Sequence, residues 1–247
     1  MVAMQLQEET VDLATPTGPM RTYIYRPVPT GRYPGLVLFS EIFQRSGPIG
    51  RTAALLAGHG FVVAVPEIYH DLEPAGTVLP YDTAGAERGN AHKVARPITA
   101  FDDDTRVVLE HLAGHASCSG RLGAMGICLG GHLSFRAAMN AEVLAAVCFY
   151  ATDIHKGSLG SGGDDSLARA AEIRGELLMV WGRQDPHIPG DGRAKIYARL
   201  TEVGTSFTWH ELNGPHAFVR DEGPRYDPEA ALLCYRLALD LFRRRLA

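Results

Sequence analysis

The sequence predicts an α/β protein: a mostly parallel sheet with helices on both faces and an antiparallel hairpin at its N-terminal edge. Three observations predict it. Strand-length apolar runs alternate with helix-periodic segments along the chain. Those runs are nearly continuous in apolar residues, which suits strands buried on both faces. Residues 1–26 break the rhythm with two extended stretches around Thr15-Pro16-Thr17-Gly18, a turn signal.

The elements follow in order. Val11 to Leu13 and Arg21 to Tyr25 are the hairpin arms. Gly35 to Ser40 is a buried strand, and Arg51 to His59 is a helix carrying Ala53, Ala54, Leu55, Leu56 and Ala57. Phe61 to Val65 is a strand that Pro66 stops. Glu67 to Pro97 is rich in Pro and Gly and poor in regular pattern, so it reads as a loop excursion of the functional kind. Asp102 to Leu112 is a helix whose acidic start, Asp102-Asp103-Asp104, reads as solvated. Gly120 to Ile127 is a strand, Gly130 to Asn140 a helix, and Val143 to Tyr150 a strand. Gly157 to Asp165 reads as a flexible surface loop. Leu177 to Trp181 is a strand, Asp191 to Val203 a helix, Ser206 to Leu212 a strand, and Pro228 to Arg245 a final helix. No linker divides the chain, so residues 1–247 are expected to form one domain.

Composition removes several classes of function. Of the 247 residues, 46% are hydrophobic and 21% charged, which is ordinary for a globular protein. A formal net charge of -4 offers no basic excess for nucleic acid. No apolar run approaches the ~18 residues of a membrane span. Met1 to Thr10 lacks a basic segment followed by an apolar one, so no leader is expected. Cys118, Cys128, Cys148 and Cys234 form no C-x-x-C pair, so reduced thiols in a cytoplasm are expected. No H-E-x-x-H or similar spacing occurs, so no metal or other cofactor is expected. No long apolar surface pattern demands a partner, which suits a monomer or a weak homo-oligomer.

The sharpest local signal is Gly126-Ile127-Cys128-Leu129-Gly130-Gly131, between a strand and a helix. It is the G-x-nucleophile-x-G turn of the α/β-hydrolase fold, with Cys where Ser is commoner. The glycines let neighbouring backbone pass close to a strained turn. Cys128 then stands at the carboxyl end of the sheet and at a helix N-terminus, which favours thiolate. The Leu129 N–H is placed to meet a developing oxyanion. A buried structural cysteine in a packing joint is the plain alternative; packing alone accounts for Cys118 (in a loop), Cys148 and Cys234.

That fold orders its partners as nucleophile, acid, base. Asp185, in Trp181-Gly182-Arg183-Gln184-Asp185-Pro186, follows a strand, and His216, in Asn213-Gly214-Pro215-His216-Ala217-Phe218, follows the next. His216 is expected to move protons, and Asp185 to fix its tautomer and orientation. Asp185 alone reads equally as a turn residue, and His216 alone as an exposed loop histidine. Together and in order they point to catalysis. His187 is the closest rival base, and His132 is placed to line the pocket.

These residues resemble the dienelactone hydrolases over nearly the whole chain. The matching pieces are Ser40-Glu41-Ile42-Phe43, Val65-Pro66-Glu67-Ile68-Tyr69, the Cys128 elbow, the Asp185 loop and the His216 loop. The resemblance implies a Cys–His–Asp enzyme that opens small esters or lactones through a thioester. It implies that Glu41 takes the thiol proton, that Arg220 pairs with Glu41 at rest, and that the Ile42 N–H is the second oxyanion donor. It also implies that Arg88 helps bind an anionic substrate. His92 stands where the best-known members have a tyrosine.

Three functions therefore compete. The first is a small-ester or lactone hydrolase. The second is the same machinery turned on a phosphotriester or thioester. The third is a non-catalytic ligand-binding protein, because a fold alone does not fix function.

Overall fold

In the computed structural model, β1 (Leu6–Thr15) and β2 (Gly18–Pro27) pair antiparallel as the expected hairpin, with arms longer than the sequence pattern marked. The structure describes residues 4–247, and the first three residues of the segment Met1 to Thr10 lie outside the described residues. Met20, Thr22 and Ile24 of β2 point inward at alternate positions, as a half-buried strand requires. β2 then pairs antiparallel with β4 (Val62–Pro66). Beyond it, β3 (Tyr33–Phe39), β5 (Cys118–Ile127), β6 (Val143–Phe149), β7 (Glu176–Gly182) and β8 (Phe207–Leu212) are parallel. The eight strands form one sheet in the order β1-β2-β4-β3-β5-β6-β7-β8.

Helices cover both faces. On one side α3 (Ile98–Gly114) and α4 (Leu129–Ala137) pack on the central strands. On the other lie α1 (Gly47–Gly58) and α6 (Pro228–Leu246), joined by a 2.8 Å hydrogen bond between the Thr52 and Tyr235 hydroxyls. α5 (Gly190–Glu202) links β7 to β8. Every residue of β4 is buried, as expected of a strand covered on both faces. Among the described residues, no helix is long and apolar enough to cross a membrane.

Three readings need correction. The excursion from Glu67 to Pro97 is not loop throughout, because it contains α2 (Thr83–Ala95). α2 buries only Gly85 and Gly89, so it carries no apolar stripe from which a period could be read. The acidic run is solvated only in part: Asp102 and Asp103 are half-buried and Asp104 is buried. α3 starts at Ile98, so the run lies inside it; Asp102 pairs with Arg136 at 2.6 Å and buried Asp104 with Arg96 at 2.8 Å. Cys118 is buried at the start of β5, not in a loop.

Buried charge holds the excursion down. The Arg96 guanidinium pairs with Asp71 and Asp104, each at 2.8 Å, and donates to the Ile68 carbonyl at 2.9 Å. Glu67 accepts from the Tyr23 hydroxyl at 2.7 Å and from the Gly76 N–H at 2.8 Å. These groups would be costly to bury unpaired, so their pairing fixes the path of the chain.

Candidate active site

Parallel strands deliver their following loops to one end of the sheet. Glu41 and Ile42 follow β3, Cys128 follows β5, Asp185 follows β7 and His216 follows β8. Glu41, Ile42, Cys128, His187, His216 and Arg220 line a cavity of about 200 Å³. Asp185 is buried behind the histidine.

The elbow is built by close backbone contact. Cys128 has φ 61° and ψ -119°, a conformation L-residues rarely adopt. A Cβ on Gly126 would lie 1.8 Å from the Gly130 carbonyl oxygen, and one on Gly130 would lie 2.2 Å from that of Phe39. No larger residue fits either position without moving backbone. The Cys128 N–H is held by the Phe149 carbonyl at 3.0 Å. Leu129 opens α4, so its N–H has no intrahelical acceptor. The Ile42 N–H makes no hydrogen bond among the described residues.

The acid–base pair is equally constrained. His216 Nδ1 lies 2.6 Å from Asp185 Oδ2, and Asp185 Oδ1 accepts the His187 N–H at 2.8 Å. The two loops cross at Gly182, where a Cβ would meet the Gly214 carbonyl at 2.4 Å. Burial disfavours the His216 imidazolium, but the Cys128 sulfur and the Asp185 carboxylate outweigh it and push its pKa up to about 10. The Tyr150 and His187 rings stand edge-on to that imidazole, with centroids at 4.9 and 4.7 Å. His187 is therefore on the cavity wall, but Asp185 holds its backbone and not its ring. His132 lies elsewhere, bonded to Ser166 at 2.7 Å.

Burial raises the pKa of Glu41, while Arg220, His216, Tyr81 and Arg225 pull it down. Arg220 Nη1 lies 3.8 Å from Glu41 Oε1. Tyr81 was not marked in the sequence, yet it donates to Glu41 Oε2 at 3.2 Å. No local motif surrounds it.

Arg88 and His92 do not line the cavity. Both pair with Glu73, whose side chain is fully buried; Arg88 Nη2 is 2.6 Å from Glu73 Oε2. The cations that do face the cavity are Lys93, Lys156, Arg220 and Arg225. Lys93 is held by Asp153 at 2.8 Å, and Asp153 has φ 68°. Lys156 and Arg225 form no ion pair among the described residues. Sequence pattern could not single them out, because both lie on loops without motif.

The dienelactone hydrolase family model matches residues 20–246. The chain belongs to that family. It is 37% identical over 256 residues to a putative carboxymethylenebutenolidase of Saccharomyces cerevisiae, covering 98% of this chain and 93% of the relative. A carboxymethylenebutenolidase of a Pseudomonas species is 26% identical, over 87% of this chain and 86% of its own. In fold, the chain is similar to a putative dienelactone hydrolase of Klebsiella pneumoniae, with TM-score 0.86 and 22% identity over 97% and 99% of the two chains. It is similar also to a dienelactone hydrolase-like promiscuous phosphotriesterase from metagenomic libraries, with TM-score 0.79 and 18% identity over 100% of both. This dienelactone hydrolase-family protein is therefore a hydrolase, with the family's α/β-hydrolase architecture.

Proposed function

We propose that this protein opens small lactones and esters of the carboxymethylenebutenolide kind, with Cys128 as nucleophile and a thioester intermediate. The observation that carries the reading is Cys128 itself. It sits at φ 61° on a glycine-locked elbow, in the same cavity as a His216 bonded to Asp185 at 2.6 Å. The chain 1–247 acts as one unit in this reading.

The steps balance as follows. The Cys128 thiol gives its proton to Glu41, and the sulfur attacks the substrate carbonyl carbon. The Leu129 and Ile42 N–H groups receive the oxyanion. Collapse breaks the carbon–oxygen bond, and the His216 imidazolium gives its proton to the leaving oxygen. Neutral His216 then takes a proton from water as the hydroxide attacks the thioester. The Cys128 thiolate leaves and recovers its proton from Glu41, and the product acid loses its proton to solvent. Asp185 keeps the imidazole in one orientation throughout.

The substrate is small and anionic in this reading. Lys156 and Arg225 bring uncompensated positive charge to the cavity, which suits a carboxylate. Arg88 has no part in binding, because Glu73 holds it outside the cavity. All four cysteines are unbridged, which suits a reducing compartment such as the cytoplasm.

Intact-protein mass spectrometry with a slow ester tests the nucleophile. The expected result is an acyl adduct on the wild type and none on Cys128→Ala; an adduct that survives the substitution overturns the assignment. A panel of lactones, aryl esters and phosphotriesters tests the substrate class. The highest kcat/KM is expected on an anionic lactone or ester, and a phosphotriester preference overturns that part.

A further inference from the structure

Glu41 is 2% exposed, so its carboxylate needs partners to stay charged. Arg220 is an imperfect one. At 3.8 Å its Nη1 is beyond hydrogen-bond reach of Glu41 Oε1, and its Nε is already given to the Glu222 carbonyl at 3.0 Å. The only side-chain hydrogen bond to Glu41 among the described residues comes from Tyr81, at 3.2 Å.

Tyr81 is itself held on three sides. Its hydroxyl meets Ser46 Oγ at 2.5 Å, just before α1. Phe43 packs edge-on with ring centroids 4.6 Å apart. The Arg220 guanidinium lies over the Tyr81 ring, 4.2 Å from its centroid. One phenol thus bonds the carboxylate and also seats the arginine that faces it.

We propose that Tyr81 is a positioning residue that keeps the Glu41 carboxylate ionised and in place, and seats Arg220 beside it. Its catalytic consequence rests on the reading that Glu41 takes the thiol proton; its effect on Glu41 ionisation does not. The other charged and titratable groups facing Glu41 are Arg220, Arg225 and His216 from the loop after β8, Cys128 from the elbow and Tyr150 from the loop after β6. None of the last three hydrogen-bonds Glu41: His216 gives its Nδ1 to Asp185, and the Tyr150 hydroxyl is buried with no hydrogen-bond partner. Burial and the Glu41 charge hold the Tyr81 phenol above its ordinary pKa, so it remains a donor across neutral pH.

Tyr81→Phe keeps the ring, the Phe43 edge contact and the arginine seat, and removes only the hydroxyl with its bonds to Glu41 and Ser46. The direct test follows the Glu41 carboxyl carbon by NMR through a pH titration, with its signal assigned by loss in Glu41→Gln. The midpoint is expected to rise by about one pH unit in Tyr81→Phe, a tenfold change in the ionisation equilibrium. An unmoved midpoint overturns the proposal. In parallel, the acidic limb of kcat/KM is expected to move up with the NMR midpoint, with activity recovering at higher pH. A merely structural role would lower the whole profile without moving the limb. If the NMR midpoint moves and Glu41→Gln turns over substrate with the wild-type profile, Tyr81 holds Glu41 and the role of Glu41 as thiol base falls instead.

Discussion

The elbow around Cys128 and the excursion from Glu67 to Pro97 face the same cavity, yet they are built by different rules. The elbow is local. Its sharp turn follows from Gly126 against the Gly130 carbonyl four residues on, and the one remote approach is that of Gly130 to Phe39. The excursion is assembled from a distance. Glu67 reaches Tyr23, Arg96 reaches Asp104 in α3, and Glu73 holds Arg88 and His92 of α2. Even its contact with the oxyanion side is long-range, since a Cβ on Gly89 would lie 2.4 Å from the Ile42 carbonyl oxygen. The lesson is that the chemistry sits in local turns, while the walls that choose the substrate depend on buried charge and close packing between remote segments.

The hardest way to break that comparison is at the elbow. Gly126→Ala places a methyl 1.8 Å from the Gly130 carbonyl oxygen. Backbone must move, so a loss of stability above about 4 kcal/mol or an unfolded product is expected. Any folded fraction should lose activity by at least about 10³-fold, because the nucleophile is displaced. Denaturant midpoints and single-turnover rates measure the two effects; a stable and active Gly126→Ala protein would refute the local account of the elbow.

Gly89→Ala tests the remote rule. Its Cβ meets the Ile42 carbonyl, so α2 or the Ile42 peptide must shift. A fall in kcat of about 10- to 100-fold is expected, because a misplacement near 1 Å is enough to disturb an oxyanion donor. Stability should suffer less than at the elbow, since α2 buries little apolar surface. If Gly89→Ala lowers only the melting temperature and leaves kcat intact, α2 does not set the position of Ile42.

The same contrast explains what the sequence could tell. The sheet was legible because β4 to β7 are nearly continuous apolar runs, and the hairpin because Thr15 to Gly18 is a turn signal. Cys128, Asp185 and His216 were legible because each follows a strand and keeps the order of the fold. α2 was not, because glycines replace its apolar stripe. Tyr81 was not, because its partners Ser46, Glu41 and Arg220 lie far along the chain, and Lys156 and Arg225 were not, because they lie on loops without motif. The family resemblance implies a substrate role for Arg88, yet Glu73, fifteen positions earlier, holds it away. The buried carboxylate that decided its direction carries no signature of burial in the sequence.

The raised pKa of His216 gives a pH signature for the local site. A folded-state pKa of about 10 against an ordinary 6.5 contributes stability that is complete below about pH 6.5 and is lost as pH rises through about 10. The melting temperature should therefore fall across that window by more than the general alkaline decline. In Cys128→Ala one of the groups that raises the imidazole is gone, so the fall should be smaller and should end at a lower pH. Identical pH–melting curves for the two proteins would show that the sulfur does not hold the proton on His216.

The finest test separates two arginines that sequence pattern does not rank. Arg225 faces the cavity without an ion pair, so Arg225→Ala should lower kcat/KM for an anionic lactone about 5- to 10-fold and leave a neutral ester of the same size nearly unchanged. The loss should appear in KM and shrink at high salt, because an exposed charge is screened. Arg88 is 56% exposed at its side chain and points its guanidinium at Glu73. Arg88→Ala should therefore change kcat/KM for both substrates by less than about twofold, as expected for a guanidinium held outside the cavity. The comparison inverts if Arg88→Ala selectively weakens the anionic substrate. Glu73 would then be releasing its arginine to the ligand, and the excursion would be a moving part of the site and not its fixed wall.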